Sequence, residues 1–169
     1  MRLTPWLRLA ILALLIPQTG AAASRDLNWR GWDEGLREAA TSKRPVLVDV
    51  YTDWCGWCKR MDRDVYSQSE IREVLSQRFV LVKLNAESGE TGRYDGRSLT
   101  SRSLATRFRV TGYPTTVFLR PDGTHLVNVP GYVPAPRFQL LLRYIGEGYL
   151  DRDVPFDEFV KKVSGSGKN

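Results

Sequence analysis

Apolar positions recur along the chain in two periods, and their alternation predicts strands separated by helices. Pro45-Val46-Leu47-Val48-Asp49-Val50-Tyr51 and Phe79-Val80-Leu81-Val82-Lys83-Leu84 are short runs rich in β-branched residues. Each reads as a strand with one embedded charge, the first of them central to a sheet. Trp32, Leu36 and Ala39-Ala40 recur at helical spacing and predict an opening helix over 28–43, closed by Pro45. Met61, Val65, Ile71 and Val74-Leu75 predict a second helix over 55–77, kinked between Tyr66 and Glu70. A short helix over 99–108 carries Leu104 and Phe108 on one side. The runs 115–119 and 126–129 flank Pro121-Asp122-Gly123 and predict an antiparallel hairpin. Phe138, Leu141-Leu142 and Ile145 mark a closing helix over 137–149, and a small helix over 156–163 precedes a flexible tail over 164–169. Residues 85–98 hold glycines and charges without an apolar run, so they read as a solvated loop, or as an irregular insertion that docks a partner. The order gives an α/β architecture, a mixed sheet packed between helices.

Ahead of these elements, Met1-Arg2 and Arg8 precede an unbroken apolar run, Leu9 to Ile16. Pro17 to Gly20 and then Ala21-Ala22-Ala23 follow, which is the order of an export signal cleaved after Ala23. The run is too short to span a bilayer as a helix, which needs about 20 apolar residues. Residues 1–23 are therefore expected to be a signal peptide and 24–163 one domain, with the product periplasmic or secreted. An anchor retained at the N-terminus is the alternative. The whole chain has 169 residues, 42% of them hydrophobic and 26% charged. Those figures suit one globular domain and exclude a disordered, collagenous or coiled-coil chain. The formal charge of +6 comes from Lys and Arg that read as scattered, so no nucleic-acid partner is expected. Two Cys and one His cannot complete a four-ligand Cys/His zinc site within the chain, and no metal or cofactor is expected. His125 falls in the hairpin, away from the strand ends that carry chemistry.

Both cysteines lie in Trp54-Cys55-Gly56-Trp57-Cys58-Lys59, where the first strand gives way to a helix. Ligands and chemistry in such sheets favour the C-terminal ends of strands. A Cys55 thiolate at a helix N-terminus faces unpaired N–H groups, which lowers its pKa below the free value of about 8.5. Cys58, one turn on, is within disulfide reach. A ring so small barely restricts the unfolded chain, so a structural staple explains the pair poorly. An inert pair of buried thiols and half of a shared zinc site are the other readings.

The segment from Val48 to Lys59 closely resembles the thioredoxin family's strand, acid and Trp-Cys-Gly-x-Cys-Lys arrangement. Val110-Thr111-Gly112-Tyr113-Pro114-Thr115 resembles the loop that carries that family's cis-proline. The resemblance covers about 29–149. It implies a thioredoxin fold, a mixed sheet with helices on both faces, and a protein-disulfide oxidoreductase that works through its Cys55–Cys58 disulfide with no other cofactor. Cys55 would be the attacking thiol and Cys58 the resolving one. Asp49 would be the buried acid that accepts the Cys58 proton, and Lys83 the lysine beside it. Charges within two buried strands are costly unless they meet, so a purely structural Asp49–Lys83 pair is the alternative. Pro114 would be cis, leaving the Tyr113 backbone to pair with an extended substrate, with Trp54, Gly56 and Trp57 completing the substrate surface. Thiol and disulfide proteins, apocytochromes among them, and a membrane electron donor are the implied partners, met by a monomer. Gly56-Trp57 stands where the cytosolic reductants resembled here carry Gly-Pro. Reduction of substrate disulfides is the expected direction. A disulfide oxidase or isomerase, or a redox-inactive binding or chaperone module, are the alternatives.

Overall fold

A computed structural model describes residues 26–165. The expected signal peptide and its cleavage point, together with residues 166–169 of the tail, lie outside the described residues.

The elements in chain order are β1 (Trp29–Arg30), α1 (Trp32–Ser42), β2 (Val46–Tyr51), α2 (Gly56–Met61), α3 (Ser69–Arg78), β3 (Val80–Asn85), β4 (Thr91–Tyr94), β5 (Arg97–Thr100), α4 (Ser101–Arg107), β6 (Thr115–Leu119), β7 (His125–Pro130), α5 (Ala135–Gly146) and α6 (Phe156–Gly165). Five strands form one mixed sheet in the order β1-β3-β2-β6-β7, with β1, β3 and β2 parallel and β6 and β7 antiparallel. Because side chains alternate across a strand, Val46, Val48 and Val50 point to one face with Trp32 and Ala39 of α1 and Leu104 of α4. Leu47 points to the other, with Met61, Leu75, Phe138 and Phe159. Both faces are covered, which is why β2 and β3 read as nearly continuous apolar runs. Asp49 is the exception on the second face.

Four expectations need correction. Residues 29–30 are not helical: Trp29 and Arg30 pair in parallel with Leu81 and Val82, a contact 52 residues away that no local periodicity reports. The expected helix over 55–77 is divided. After α2 the backbone widens into a π-helical turn over Asp62–Tyr66, and α3 starts afresh at Ser69. The closing helix ends at Gly146, and a 3-10 turn at Leu150–Arg152 leads to α6, which runs on through Ser164 and Gly165.

The fourth concerns the expected loop over 85–98. Most of it is a two-stranded hairpin, with Thr91 facing Thr100 and Tyr94 facing Arg97. Asp95 and Gly96 form its turn at φ 49° and 74°, the left-handed pair that a tight hairpin requires. The hairpin is clamped to α1. Asp33 accepts from the Arg93 N–H at 2.7 Å, and the Trp32 indole donates to the Arg93 carbonyl at 3.1 Å. Gly92 lies flat on the Trp32 ring, where an added Cβ would come within 2.3 Å of Cδ1. Gly92→Ala must push that buried ring aside, and overpacking of this kind costs about 1–3 kcal/mol. Denaturant unfolding checks this; an unchanged midpoint would mean the hairpin is not held by that contact.

Candidate active site

Strand β2 ends at Tyr51, and the chain turns at once: the Cys55 N–H donates to the Thr52 carbonyl at 3.1 Å. Cys55 is the N-cap of α2, with extended backbone, and its Sγ accepts from the Cys58 N–H at 3.1 Å. A thiolate at that position would receive the same N–H and the positive end of the helix. Cys55 and Cys58 form a disulfide with Cα atoms 5.3 Å apart. Both cysteines are 4% exposed, whereas Trp54 and Trp57 are 66% and 53% exposed, the only large apolar side chains among the described residues that stand out in solvent. Exposed apolar surface thus lies beside a nearly covered disulfide.

Each tryptophan is held. The Trp54 indole donates to Glu87 at 2.8 Å, and its ring meets Tyr113 edge to face at 6.0 Å between centroids. That contact brings the loop before β6 to the cysteine turn. The Tyr113–Pro114 bond is cis, the Pro114 carbonyl accepts from the Gly131 N–H at 2.8 Å, and β6 pairing starts only at Thr115. Trp57 packs on Tyr132 at 5.5 Å, with the Arg60 guanidinium within 5.1 Å of one ring centroid and 5.4 Å of the other. Gly56, between the two, is exposed and has open space where a side chain would be.

On the α2 side of the sheet the two strand charges meet. Asp49 and Lys83 are direct partners in the β2–β3 register, and the Lys83 ammonium donates to Asp49 Oδ2 at 2.6 Å. It also donates to Asp62 Oδ1 at 2.8 Å. The faces of Trp29 and Tyr51, each 4.9 Å away, and of Tyr66 at 5.6 Å surround it. Burial would push the Lys83 ammonium down, but the two carboxylates outweigh it and hold its pKa above the ordinary value. At Asp49 burial wins: it raises the carboxyl against the pull of Lys83. Asp49 Oδ1 is buried with no hydrogen-bond partner among the described residues, so one acceptor of this carboxylate stays open. Such a carboxyl can hold and release a proton in the interior, which a fully paired one does less readily.

The structure thus gathers the predicted residues into two layers, an aromatic rim around the disulfide and a charged pair on the helix-covered face of the same strands. It adds Asp62, Glu87, Arg60 and Tyr132, which sequence reasoning missed. Asp62 had a readable signal: it follows Cys58 at i+4 on the same helix face. Glu87 and Tyr132 reach the rim only through the fold. His125 contacts Asn128 at 2.8 Å and the Phe108 ring, within the hairpin region. Among the described residues no group of three or more His, Cys, Asp and Glu is placed to hold a metal.

Comparisons with known proteins agree with this geometry. A family profile described as a thioredoxin-like domain matches residues 32–146. The thiol:disulfide interchange protein DsbD of Ralstonia nicotianae is 35% identical over 112 residues, 66% of this chain but only 17% of that protein. The disulfide bond reductase DsbH of Chlamydia pneumoniae is 25% identical over 120 residues, covering 70% of this chain and 71% of its own length. The solution structure of a thioredoxin from Thermus thermophilus superposes with a TM-score of 0.58 at 28% identity, over 74% of this chain and 96% of that one. The chain belongs to the thioredoxin-like family and carries the cysteine pair of a thiol–disulfide oxidoreductase.

Proposed function

We propose that the protein is an exported disulfide reductase that passes electrons from a dithiol donor to disulfides in partner proteins. The observation that carries this reading is Cys55 at the cap of α2, its sulfur on the Cys58 N–H, with Asp49 on the covered side of the adjoining strand. The Cys55 thiolate attacks one sulfur of the substrate disulfide; that bond breaks, and the released substrate thiolate takes a proton. Cys58 then gives its proton to Asp49, and its sulfur attacks Cys55 Sγ. The mixed disulfide breaks, the second substrate thiol leaves with a proton, and the Cys55–Cys58 disulfide remains. Two electrons and two protons have passed to the substrate. A donor dithiol restores the pair by the same exchange run in reverse.

Three features support the details. The Trp54–Tyr113 and Trp57–Tyr132 contacts border the disulfide with apolar surface suited to a flexible segment of a protein. The relatives reported above include one protein named as a disulfide bond reductase and one named for thiol–disulfide interchange. The order of charge, apolar run and small residues in 1–23 supports export and a periplasmic setting, where a membrane donor would supply the electrons. Among the described residues no helix is long and apolar enough to cross a membrane.

With dithiothreitol as donor, the protein should accelerate reduction of a protein disulfide, and Trp57→Ala should lower kcat/KM for that substrate about tenfold, the scale of one lost aromatic contact. Turnover of a small disulfide reagent by the same variant should stay near wild type. Failure of the wild-type protein to accelerate the reaction would refute the assignment; equal loss on both substrates would remove Trp57 from substrate contact.

A further inference from the structure

Five arginines, Arg93, Arg97, Arg102, Arg107 and Arg109, fall within seventeen residues that hold one acid, Asp95. In sequence these charges look dispersed. The fold gathers three of them, because the β4–β5 hairpin lies beside α4 and the two enclose a groove of about 590 Å³ lined by Arg97, Arg102 and Arg107. Arg97 stands across from Tyr94 in the hairpin register, and both line the groove together with Leu99. Ser103 and Arg107 add an i, i+4 row from α4. Of the three guanidiniums only Arg107 is paired, to Asp95 at 2.7 Å. Arg97 and Arg102 are exposed and have no ion pair among the described residues. None of the residues lining the groove belongs to the disulfide rim or to the Asp49–Lys83 pair.

We propose that this groove is a docking site for an acidic segment of a partner protein, independent of the redox reaction. Like charges held together raise the energy of the free protein, and an anionic partner lowers it. Guanidiniums are suited to carboxylates because each offers a planar fork of donors. The scaffold is preorganised: the Asp33 and Trp32 bonds to Arg93, the Gly92–Trp32 contact and the Tyr94–Phe108 packing at 5.0 Å hold the hairpin in place. Binding therefore has to order the arginine side chains but not the backbone that carries them. Tyr94 and Leu99 give the groove an apolar lining and Asp95 adds a negative charge, which suits a peptide carrying acidic and apolar side chains better than a run of phosphates.

The test is an amide-shift titration of the isotope-labelled full chain with three probes at matched ionic strength: a short glutamate-rich peptide containing one leucine, inorganic phosphate and an oligothymidylate. The proposal expects the peptide to shift amides within 91–109, and its affinity to fall about tenfold when salt shortens the screening length severalfold. The Arg97→Glu/Arg102→Glu double variant should abolish the shifts. It should keep the wild-type melting temperature and the wild-type rate on a small disulfide, since neither side chain holds the fold or touches the cysteines. Absence of peptide shifts, shifts elsewhere, or equal or stronger response to phosphate or oligothymidylate would overturn it. Loss of folding in the double variant would overturn it as well, by making the arginines structural. A failed disulfide assay leaves the titration readable, so the two proposals fail separately.

Discussion

Cys58→Ser is expected to accumulate covalent adducts with substrate proteins, while Cys55→Ser forms none. The difference follows from which sulfur meets the N–H and helix end. Cys55, at the cap of α2, is the sulfur whose anion would receive that N–H once the pair is reduced, so in the proposed mechanism it begins exchange without Cys58. In the Cys58→Ser variant the mixed disulfide forms, but nothing within the protein can break it. In the Cys55→Ser variant the remaining thiol lacks the cap position, and the first step fails. Turnover should fall by about 10³-fold or more in either variant, the scale seen when an enzyme loses its nucleophile. Non-reducing gels of variants exposed to a protein disulfide separate the two cases. Equal trapping by both would show that the roles of the two sulfurs are wrongly assigned.

Asp49→Asn should make the protein more stable at neutral pH and slower. Burial holds the Asp49 carboxyl above the ordinary carboxylate value of 3.8, and Lys83 offsets only part of that. The folded protein therefore binds this proton more tightly than the unfolded chain does. Wild-type stability from this group must fall as pH rises from about 3.8 through the raised value, and level off above it. The amide removes that loss while keeping the shape of the side chain, and Lys83 retains Asp62 as a partner. Removing a buried charge that its partner compensates only in part leaves the folded state more stable wherever the carboxyl would be ionised. Denaturant unfolding at several pH values should show a smaller difference between variant and wild type in acid than at neutral pH. In single-turnover kinetics, release of the second substrate thiol should slow by about 10²-fold, the contribution of a placed proton acceptor. A variant that gains stability and keeps its rate would leave Asp49 as a structural partner of Lys83 and nothing more.

The site is readable where its information is local or where a buried strand breaks its own rule. The Cys-x-x-Cys spacing and the strand before it lie close together in the chain, and Asp49 and Lys83 are conspicuous because each interrupts an apolar run. Their contact can be anticipated on electrostatic grounds, since neither charge can be buried alone. What cannot be read comes from pairing across long separations. Strand β1 is two residues long and exists because Trp29 and Arg30 find Leu81 and Val82. The β4–β5 hairpin has no apolar alternation, because its inner face meets Trp32 through Gly92, a residue with no side chain to show in a hydropathy pattern. Its Asp95-Gly96 turn is a visible signal, outweighed by the surrounding polar residues. The arginine groove depends on that hairpin, so it is hidden for the same reason. Tyr132 and Glu87 complete the aromatic rim from loops whose positions only the folded sheet sets.

The reduction potential of the Cys55–Cys58 pair, titrated against glutathione, tests the central claim most directly. Thioredoxin lies near about −270 mV and a strong periplasmic oxidant near about −120 mV. A reductase of the kind proposed should equilibrate near or below the thioredoxin end, so that its dithiol gives electrons to most protein disulfides. A value near the oxidant end would reverse the flow, make the protein a disulfide donor, and contradict the account.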